Sequence, residues 1–421
     1  MNLKISPILA ACLLAASSAL AQAPASNVGR RFPNESRILV DRVTGVPITA
    51  LTTSPANDAK IYQTHPQWTS DNQYIIFLSN RSGPVNQAFA VNEVTGDIVQ
   101  LTDGPTTDTG SLNISRKTMT LYFNRGGKRS GTPTQFVELH LGTLLKDSEA
   151  GTLKDPASYE RVIGSLPANL EMAGGFTLDA DEKCAYIGVT RLDAIKGAPP
   201  PMIQRGQVNI VNRPGGLRRI DLQTGEITTV IDVPFTMGHV QANPWTPGEI
   251  VYCNETGGDA PQRMWFTRAD GTGNTALYKE TPDEWITHEA WVGKNEVMFV
   301  IMGFQPRLRT KPNGIAVIDV RTQQMRLLGQ APDIRGFWHC NGSPDGHWAV
   351  GDTFEGDIYL INRHTGEITL LTTDHKMKPD HTHPTFSPDS KRILIQSGLL
   401  TNGKSLDLMV VNVPLWLQNT R

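Results

Sequence analysis

The feature that most constrains the fold is a repeat that runs through the chain. One unit is an apolar-alternating strand, a turn rich in Asp, Gly or Asn, and a second strand, at residues 65–80, 239–255, 288–303, 339–353 and 383–398. A second unit alternates around a TG-type turn, at residues 90–104, 219–233, 317–330 and 360–374. Alternation on both sides of a short turn predicts a β-hairpin. Each repeat is therefore expected to contain four antiparallel strands.

Seven such repeats, each of roughly 40 to 65 residues, predict an all-β protein with the seven-bladed β-propeller fold. Less regular copies begin near Ser111 and Gly174. Residues 37–53 match the second unit but precede the first repeat, whereas the last repeat lacks its final strand. We therefore predict four-stranded antiparallel blades in a ring that the N-terminal segment closes. Residues 145–170 and 192–216 are predicted to be loops on one face.

The N-terminus has the pattern of a secretory signal peptide. Lys4 precedes an apolar run, and Ala19-Leu20-Ala21 forms a small-residue cleavage pattern. The run is too short for a membrane span, and no other stretch approaches the ~18 apolar residues that a spanning helix needs. A lipoprotein site at Cys12 is the alternative. We predict a signal peptide at residues 1–21, one propeller domain at residues 22–421, no membrane span, and a periplasmic or secreted location.

Charge and cysteine content narrow the possible partners. The 421-residue chain has a formal net charge of −2, so no global basic field favours nucleic acid, and an anionic partner would need a local basic pocket. After signal removal three cysteines would remain, Cys184, Cys253 and Cys340. Such a sparse, odd set is not a disulfide framework. Cysteines in the core are expected, and a single disulfide stays open.

Six of the ten histidines occupy the same position in the repeat, the start of its first strand: His65, His239, His288, His339, His381 and His383. The first strand of a propeller blade lines the central channel, so these side chains should converge at one end of it. A single histidine there would most simply cap a strand or bond a neighbouring blade. A cluster of imidazoles is instead typical of a transition-metal site.

Three of these histidines are the candidate metal ligands. His381 and His383 are two positions apart, so on a strand they would face the same side. His288 could supply a third nitrogen, and three imidazoles with open positions suit a metal that also accepts substrate oxygens.

Several segments resemble a known family. The stretches 238–272, "THEAWV" (287–292), "HCNGSPDGHWAVGD" (339–352) and "HTHPTFSPD" (381–389) are similar to the oligogalacturonate lyases of the pectate-lyase 22 type, which are seven-bladed propellers that use manganese. The resemblance implies Mn²⁺ as the divalent metal, with His288, His381 and His383 as ligands. The family places a glutamine ligand where this chain has Lys378, and a lysine is a poor ligand at neutral pH because it is protonated.

The resemblance also implies catalytic residues. The family's general base corresponds to His239 in "MGHVQ", and its channel arginine corresponds to Arg219 or to the neighbouring Arg218. The expected partner is an acidic oligosaccharide, oligogalacturonate. We predict His239 and Arg219 as catalytic residues. Arg218 and three further residues are predicted to contact the substrate: His65, His339 and Lys378.

The chemistry implied is β-elimination, in which a base removes the C5 proton of a uronate residue and the C4 oxygen leaves. A neutral histidine can take the proton, and a metal can neutralise the carboxylate. No nucleophile is needed, and the sequence has no convincing Ser-His-Asp pattern. Hydrolysis by paired carboxylates is the alternative reaction. Its candidates are Glu255, Asp345 and Asp352, but both aspartates lie in turn contexts that explain them better.

Two alternative functions remain open at this stage. One is an exported, non-enzymatic scaffold that resembles TolB, because that wider group shares the hairpin pattern. The other is a metal-dependent enzyme acting on a different uronate oligomer. The histidines that recur in register with the repeat favour an enzyme.

Overall fold

The structure is a computed structural model that describes residues 26–104, 110–127, 131–195, 202–205, 208–211, 213–256, 259–260 and 262–418. The predicted signal peptide and Cys12 lie outside these residues. In the part of the chain so described, no helix is both long and apolar enough to cross a membrane.

Seven antiparallel sheets of four or five strands form the blades, so the predicted seven-bladed propeller is confirmed. Blade 1 contains Asp58–Lys60, Tyr74–Ser79, Gln87–Asn92 and Ile98–Gln100, with the N-terminal strand Arg31–Phe32 at its outer edge. Blade 2 contains Gly110–Ile114, Leu121–Gly127, Thr132–Leu139 and Glu160–Ser165. Blade 3 contains Leu170–Leu178, Cys184–Arg191, Gly215–Asp221 and Ile227–Val233. Blade 4 contains Met237–Ala242, Glu249–Asn254, Met264–Arg268 and Thr275–Ala276. Blade 5 contains Ile286–Gly293, Glu296–Ile301, Gly314–Asp319 and Met325–Gly329. Blade 6 contains Phe337–Gly342, Trp348–Thr353, Ile358–Asn362 and Ile368–Thr372.

Blade 7 joins the two ends of the chain. Its strands are Thr385–Phe386, Arg392–Ser397 and Asp407–Asn412 from the C-terminal region and Pro47–Ala50 and Arg37–Val40 from the N-terminal region. Ile48 pairs with Val411, and Ala50 pairs with Met409. The predicted closure of the ring by residues 37–53 is therefore confirmed. The N-terminal segment contributes more than expected, because Arg31–Phe32 adds a fifth strand to blade 1.

The prediction of loops at residues 145–170 was wrong. An α-helix spans Leu141–Ala150, a 3₁₀ helix spans Pro156–Tyr159, and the outer strand of blade 2 follows at Glu160–Ser165. Leu141, Leu144 and Leu145 are buried, so the apolar side of the helix packs on the blade. Within 192–216, the described residues include a 3₁₀ helix at Asp193–Ile195 and the hairpin Met202–Arg205 and Val208–Val211. A short C-terminal helix, Leu415–Gln418, and the 3₁₀ helix Pro306–Thr310 complete the elements.

Alternating apolar side chains fill the spaces between neighbouring blades. Phe136 of blade 2, for example, stacks on Phe176 of blade 3 with ring centroids 5.5 Å apart. The three described cysteines are free and buried, as expected for core residues. The first strands of successive blades lie beside one another around the axis. The starts of these strands therefore meet at one end of the channel.

Candidate metal centre and active site

The candidate site is built on an irregularity in the first strands of the blades. The strand register breaks between Gly238 and Gln241 in blade 4 and between Thr287 and Ala290 in blade 5. His239 and His288 lie in these breaks with left-handed backbones, φ 46° and φ 56°, and His383 of blade 7 has φ 48°. A β-bulge bends the strand and re-aims a side chain, here towards the channel.

This backbone conformation costs about 1–3 kcal/mol at each non-glycine residue. Ser111, in the first strand of blade 2, shares it with φ 42°, so the bulge is partly a property of the blade itself. In blades 4, 5 and 7, however, the strained position is occupied by a histidine. Strain that is retained at functional residues is typical of active sites.

Four histidines from three blades form one cluster around His339. Its ring centroid lies 4.1 Å from that of His288, 4.0 Å from that of His383 and 5.4 Å from that of His381. The structure thus brings the three predicted ligands together around a fourth imidazole. Separately, nitrogens of His339 and His381 and an oxygen of Asp352 lie within 4.8 Å of one another, close enough to hold a metal ion.

Carboxylate and amide groups fix the orientation of two rings. His339 Nδ1 lies 3.2 Å from both carboxylate oxygens of Asp352, which also accepts a hydrogen bond from the Thr382 hydroxyl at 2.6 Å. His383 Nδ1 lies 2.8 Å from Gln63 Oε1. A metal-binding histidine commonly donates its second N–H to such a partner, which fixes the tautomer. These contacts therefore direct the other nitrogen of each ring into the cluster.

The cluster has nitrogens available for a metal. His288 Nδ1 and His381 Nδ1 are buried and have no hydrogen-bond partner among the described residues. Burial lowers the pKa of both His288 and His339 well below the usual value, so both rings are neutral near pH 7 and offer lone pairs. Orphaned, neutral imidazoles beside carboxylate-oriented ones fit a divalent transition metal.

His239 lies next to the cluster but has its own supporting network. Its ring centroid is 6.0 Å from that of His288. Its Nδ1 is 3.3 Å from Glu289 Oε1, and its Nε2 is 3.5 Å from Glu255 Oε2. Arg263 bridges the two acids, with Nε 3.5 Å from Glu289 Oε2 and Nη2 3.4 Å from Glu255 Oε2. Two acids and a buried arginine therefore hold this imidazole in place.

The charge of Glu289 is maintained although the residue is fully buried. Burial alone would raise the pKa of Glu289, but the charge of Arg263 and the contact with His239 outweigh it and lower the pKa below its usual value. Glu289, 3.3 Å from Nδ1 at ion-pair distance, is nearer and more deeply buried than Glu255, 3.5 Å from Nε2, so it favours the tautomer in which Nε2 carries the lone pair. His239 is thus arranged to accept a proton at Nε2.

A cavity of about 410 Å³ opens beside His239. Its lining includes His239, Glu255 and Tyr62. Tyr62 stands between the two parts of the site, with its ring centroid 5.4 Å from that of His239 and 5.1 Å from that of His383. A buried amine, Lys60, also lines the cavity and donates to Thr385 Oγ1 at 2.9 Å. The lining of the cavity does not include the clustered histidines, so Tyr62 and His239 lie between the cavity and the histidine cluster.

The predicted arginines lie elsewhere. Arg218 and Arg219 are on the third strand of blade 3, whereas the channel is lined by the first strands. Two strand spacings of ~4.8 Å separate these positions. Arg218 pairs with Asp232 at 2.9 Å, and Arg219 is half-buried near Cys184. The buried arginine that the structure brings to His239 is Arg263.

Two other predicted substrate contacts have different surroundings. Lys378 is exposed, and its Cβ faces Gly403 rather than the histidine cluster. His65 lines the cavity, but Nδ1 lies 2.8 Å from Thr64 Oγ1 and Nε2 lies 3.0 Å from the carbonyl oxygen of Phe176. Both nitrogens of His65 thus already have partners in the protein.

The fold and the site together define a seven-bladed propeller with a histidine cluster at one end of its channel. A family model described as oligogalacturonate lyase matches residues 204–358. A curated oligogalacturonate lyase of Dickeya dadantii is 24% identical over 396 residues, covering 88% of this chain and 94% of the relative. An oligogalacturonide lyase of Pectobacterium atrosepticum is 26% identical over 206 residues, which is 43% of this chain and 52% of the relative.

Two solved structures have the same fold over nearly their whole length. One, described as oligogalacturonate lyase in complex with manganese, has a TM-score of 0.76 and 22% identity, covering 93% of this chain and 99% of the other. An oligogalacturonate lyase from Vibrio parahaemolyticus has a TM-score of 0.75 and 19% identity, covering 92% and 99%. The resemblance predicted from the sequence is confirmed, and the comparisons do not favour a TolB-like scaffold.

Proposed function

We propose that this protein is an exported, metal-dependent lyase that cleaves oligogalacturonate by β-elimination, with His239 as the general base. The observation that carries the proposal is the placement of His239, held by the buried Glu289, in a cavity beside a cluster of neutral imidazoles. The names of the relatives support the substrate.

His288, His381 and His383 would hold the metal, which is manganese by analogy with the similar structure. When bound, the metal supplies Lewis-acid neutralisation of the uronate carboxylate, which makes the neighbouring C5 proton more acidic. His339 and Asp352 support the same cluster from blade 6. The protein's own groups carry out the rest of the reaction.

His239 Nε2 takes the C5 proton, and the electron pair left at C5 forms the C4–C5 double bond as the C4–oxygen bond breaks. The leaving oxygen keeps the electron pair of that bond and takes a proton from solvent water. Glu289 keeps the proton on Nδ1, so the lone pair faces the substrate. Once His239 is protonated, Glu255 and Glu289 stabilise the imidazolium. Arg263 offsets the charge of the two acids before the proton moves.

The test of the proposal is to incubate the purified protein with oligogalacturonates, with and without Mn²⁺ after chelation, and to follow the ultraviolet absorbance of the unsaturated product. Metal-dependent formation of that product is expected. Formation of saturated products would point to hydrolysis. Activity on another uronate oligomer but not on galacturonate oligomers would contradict the proposed substrate.

Asp380 is predicted to be an oxygen ligand in place of a glutamine. Its Oδ2 lies 3.3 Å from His383 Nε2 and accepts a hydrogen bond from Gln396 at 3.0 Å. Two atoms bound to one ion lie about 3 Å apart, because each bond is about 2.1 Å long. We expect Asp380→Asn to weaken Mn²⁺ binding, measured by titration calorimetry, by about 10–100-fold.

Lys378→Ala is the matched control, because Lys378 precedes Asp380 by two residues and is also exposed, whereas the contact with His383 is made by Asp380. It should bind Mn²⁺ like the wild type. A Lys378 variant that loses the metal while Asp380→Asn keeps it would contradict the assignment.

Glu289→Gln should lower kcat by about 10²-fold with little change in KM, because the amide no longer fixes the tautomer or the charge of His239. Steady-state kinetics on one oligomer measures both constants. Glu296→Gln is the control, since Glu296 also pairs with a mostly buried arginine, Arg363, at 2.7 Å but lies at the opposite end of blade 5, where it pairs with Gly293. Equal losses in the two variants would mean that Glu289 acts only through stability.

A further inference from the structure

A buried cysteine, Cys253, lies beside the general base and has no part in the proposed reaction. It belongs to the second strand of blade 4 and pairs with Gly238, the residue before His239. Its Sγ lies 3.6 Å from Glu255 Oε2, and that oxygen lies 3.5 Å from His239 Nε2. One nitrogen, one sulfur and one carboxylate oxygen of His239, Cys253 and Glu255 all lie within 4.8 Å of one another. A donor set of this mixed kind is typical of a zinc site.

The spacing of these atoms matches that of ligands around one zinc ion. Zinc binds sulfur at ~2.3 Å and nitrogen or oxygen at ~2.0–2.2 Å, with tetrahedral geometry. Tetrahedral angles then place the sulfur about 3.6 Å from the oxygen, and the nitrogen about 3.4 Å from the oxygen. The observed distances are 3.6 Å for the first pair and 3.5 Å for the second. Both pairs of atoms are therefore already at the spacing of zinc ligands.

The three donors lie at the wall of the cavity beside His239. That cavity is lined by His239 and Glu255, whose side chains are 20% and 31% exposed. Cys253 is fully buried, so its sulfur would contact an ion from inside the blade. An ion held by these three ligands would keep one position open towards the cavity, as zinc does in sites with three protein ligands.

The charges around the three donors favour a divalent cation. Burial raises the pKa of the Cys253 thiol, so the ion must displace the thiol proton, which passes to solvent water as the metal–sulfur bond forms. The thiolate, Glu255 and Glu289 then carry three negative charges. Arg263, 3.4 Å from Glu255, carries one positive charge. The two negative charges that remain equal the charge of one zinc ion.

We propose that His239, Cys253 and Glu255 form a second metal site, which binds Zn²⁺ as an inhibitor. A thiolate ligand favours zinc over manganese, because manganese prefers oxygen ligands. Zinc bound to His239 Nε2 occupies the lone pair that accepts the C5 proton, so elimination stops. The inhibition rests on the proposed function, whereas the binding of zinc does not.

The first test measures binding with cobalt(II), which substitutes for zinc and shows a sulfur-to-metal charge-transfer band in the near ultraviolet when a thiolate is its ligand. Titration of the metal-free wild type should produce this band. Cys253→Ser and Cys253→Ala should both lose it. A wild type without the band, or a band that persists in both variants, overturns the second site.

The second test measures zinc inhibition at saturating Mn²⁺, with bound manganese determined in the same samples. Zinc should stop formation of the unsaturated product without releasing manganese. Each variant is compared with its own zinc-free rate. Cys253→Ser and Cys253→Ala should need at least about 10–100-fold more zinc for half-inhibition, since loss of even an outer-shell partner of a metal site costs that much.

Cys184→Ser is the matched control. Cys184 is also buried and free, and it lies with Asp179 and Asp181 in another group of potential ligands, which does not include His239. This variant should keep both the cobalt band and the zinc inhibition of the wild type.

Zinc that inhibits the Cys253 variants as strongly as the wild type, or that inhibits by releasing manganese, acts at the histidine cluster and overturns the second site. Both results leave the proposed function standing. A wild type that shows the Cys253-dependent band but forms no unsaturated product overturns the proposed function, and with it the inhibition, but not the binding site.

Discussion

His239→Ala should retain its metal and still bind oligogalacturonate, but its turnover should fall by about 10²–10⁴-fold. The reason is geometric, because the side chain that accepts the C5 proton belongs to blade 4 and the Glu289–Arg263 network, not to the imidazoles around His339. The carboxylate contact with the metal site therefore survives the substitution. Metal content, a binding titration and product formation measure the three properties separately.

His347→Ala is the control for this experiment, because His347 contacts His364 and lies outside the cluster. It should keep full turnover. A His239 variant that loses its metal would make His239 a ligand, and the base would then have to be another residue. A variant that keeps both metal and turnover would refute the lyase mechanism proposed for this channel.

His383→Ala should abolish metal retention and with it most of the activity. His383 contacts His339 in the cluster, and its two ring nitrogens face the polar side chains of Gln63 and Asp380. Ligand binding stabilises a folded protein by ~2.7 kcal/mol when the ligand is present at a hundred times its Kd. Adding Mn²⁺ should therefore raise the melting temperature of the wild type and leave that of His383→Ala unchanged.

His364→Ala should behave like the wild type in the same thermal and metal-content measurements. A His383 variant that holds a stoichiometric metal ion and remains active would remove His383 from the ligand set.

The fold was predictable because its signals are local. Alternation with a period of two and short turns specify hairpins, and the matching segment at residues 37–53 indicated how the ring closes. The helix Leu141–Ala150 was missed because its apolar side, with Leu144 and Leu145, lies in a segment that the repeat does not predict. The secondary structure of an inserted segment depends on its own hydrophobic pattern, so the blade repeat does not predict it.

The histidines were found because they recur in register with the repeat, but their supporting residues do not. Glu289 follows His288 within the bulge of blade 5. Its side chain points towards His239, whereas that of His288 points towards Trp338 and His339. Arg263 precedes the third strand of blade 4, where no pattern in the sequence marks it as a channel residue. Their role depends on contacts between blades, which a reading of single strands does not include.

The joining of both chain ends in blade 7 affects the order in which the protein can fold. The amide of Leu408 donates to the hydroxyl of Thr52, a residue 356 positions away. Contacts between such distant residues form late, because the entropy cost of closing so long a loop comes before any gain. A chain that becomes free to fold from its N-terminus onwards must therefore keep its first strands unpaired until the last blade is available. His381 and His383 lie directly before the first strand of that blade, Thr385–Phe386, so the predicted metal ligands come together only in the final stage of folding.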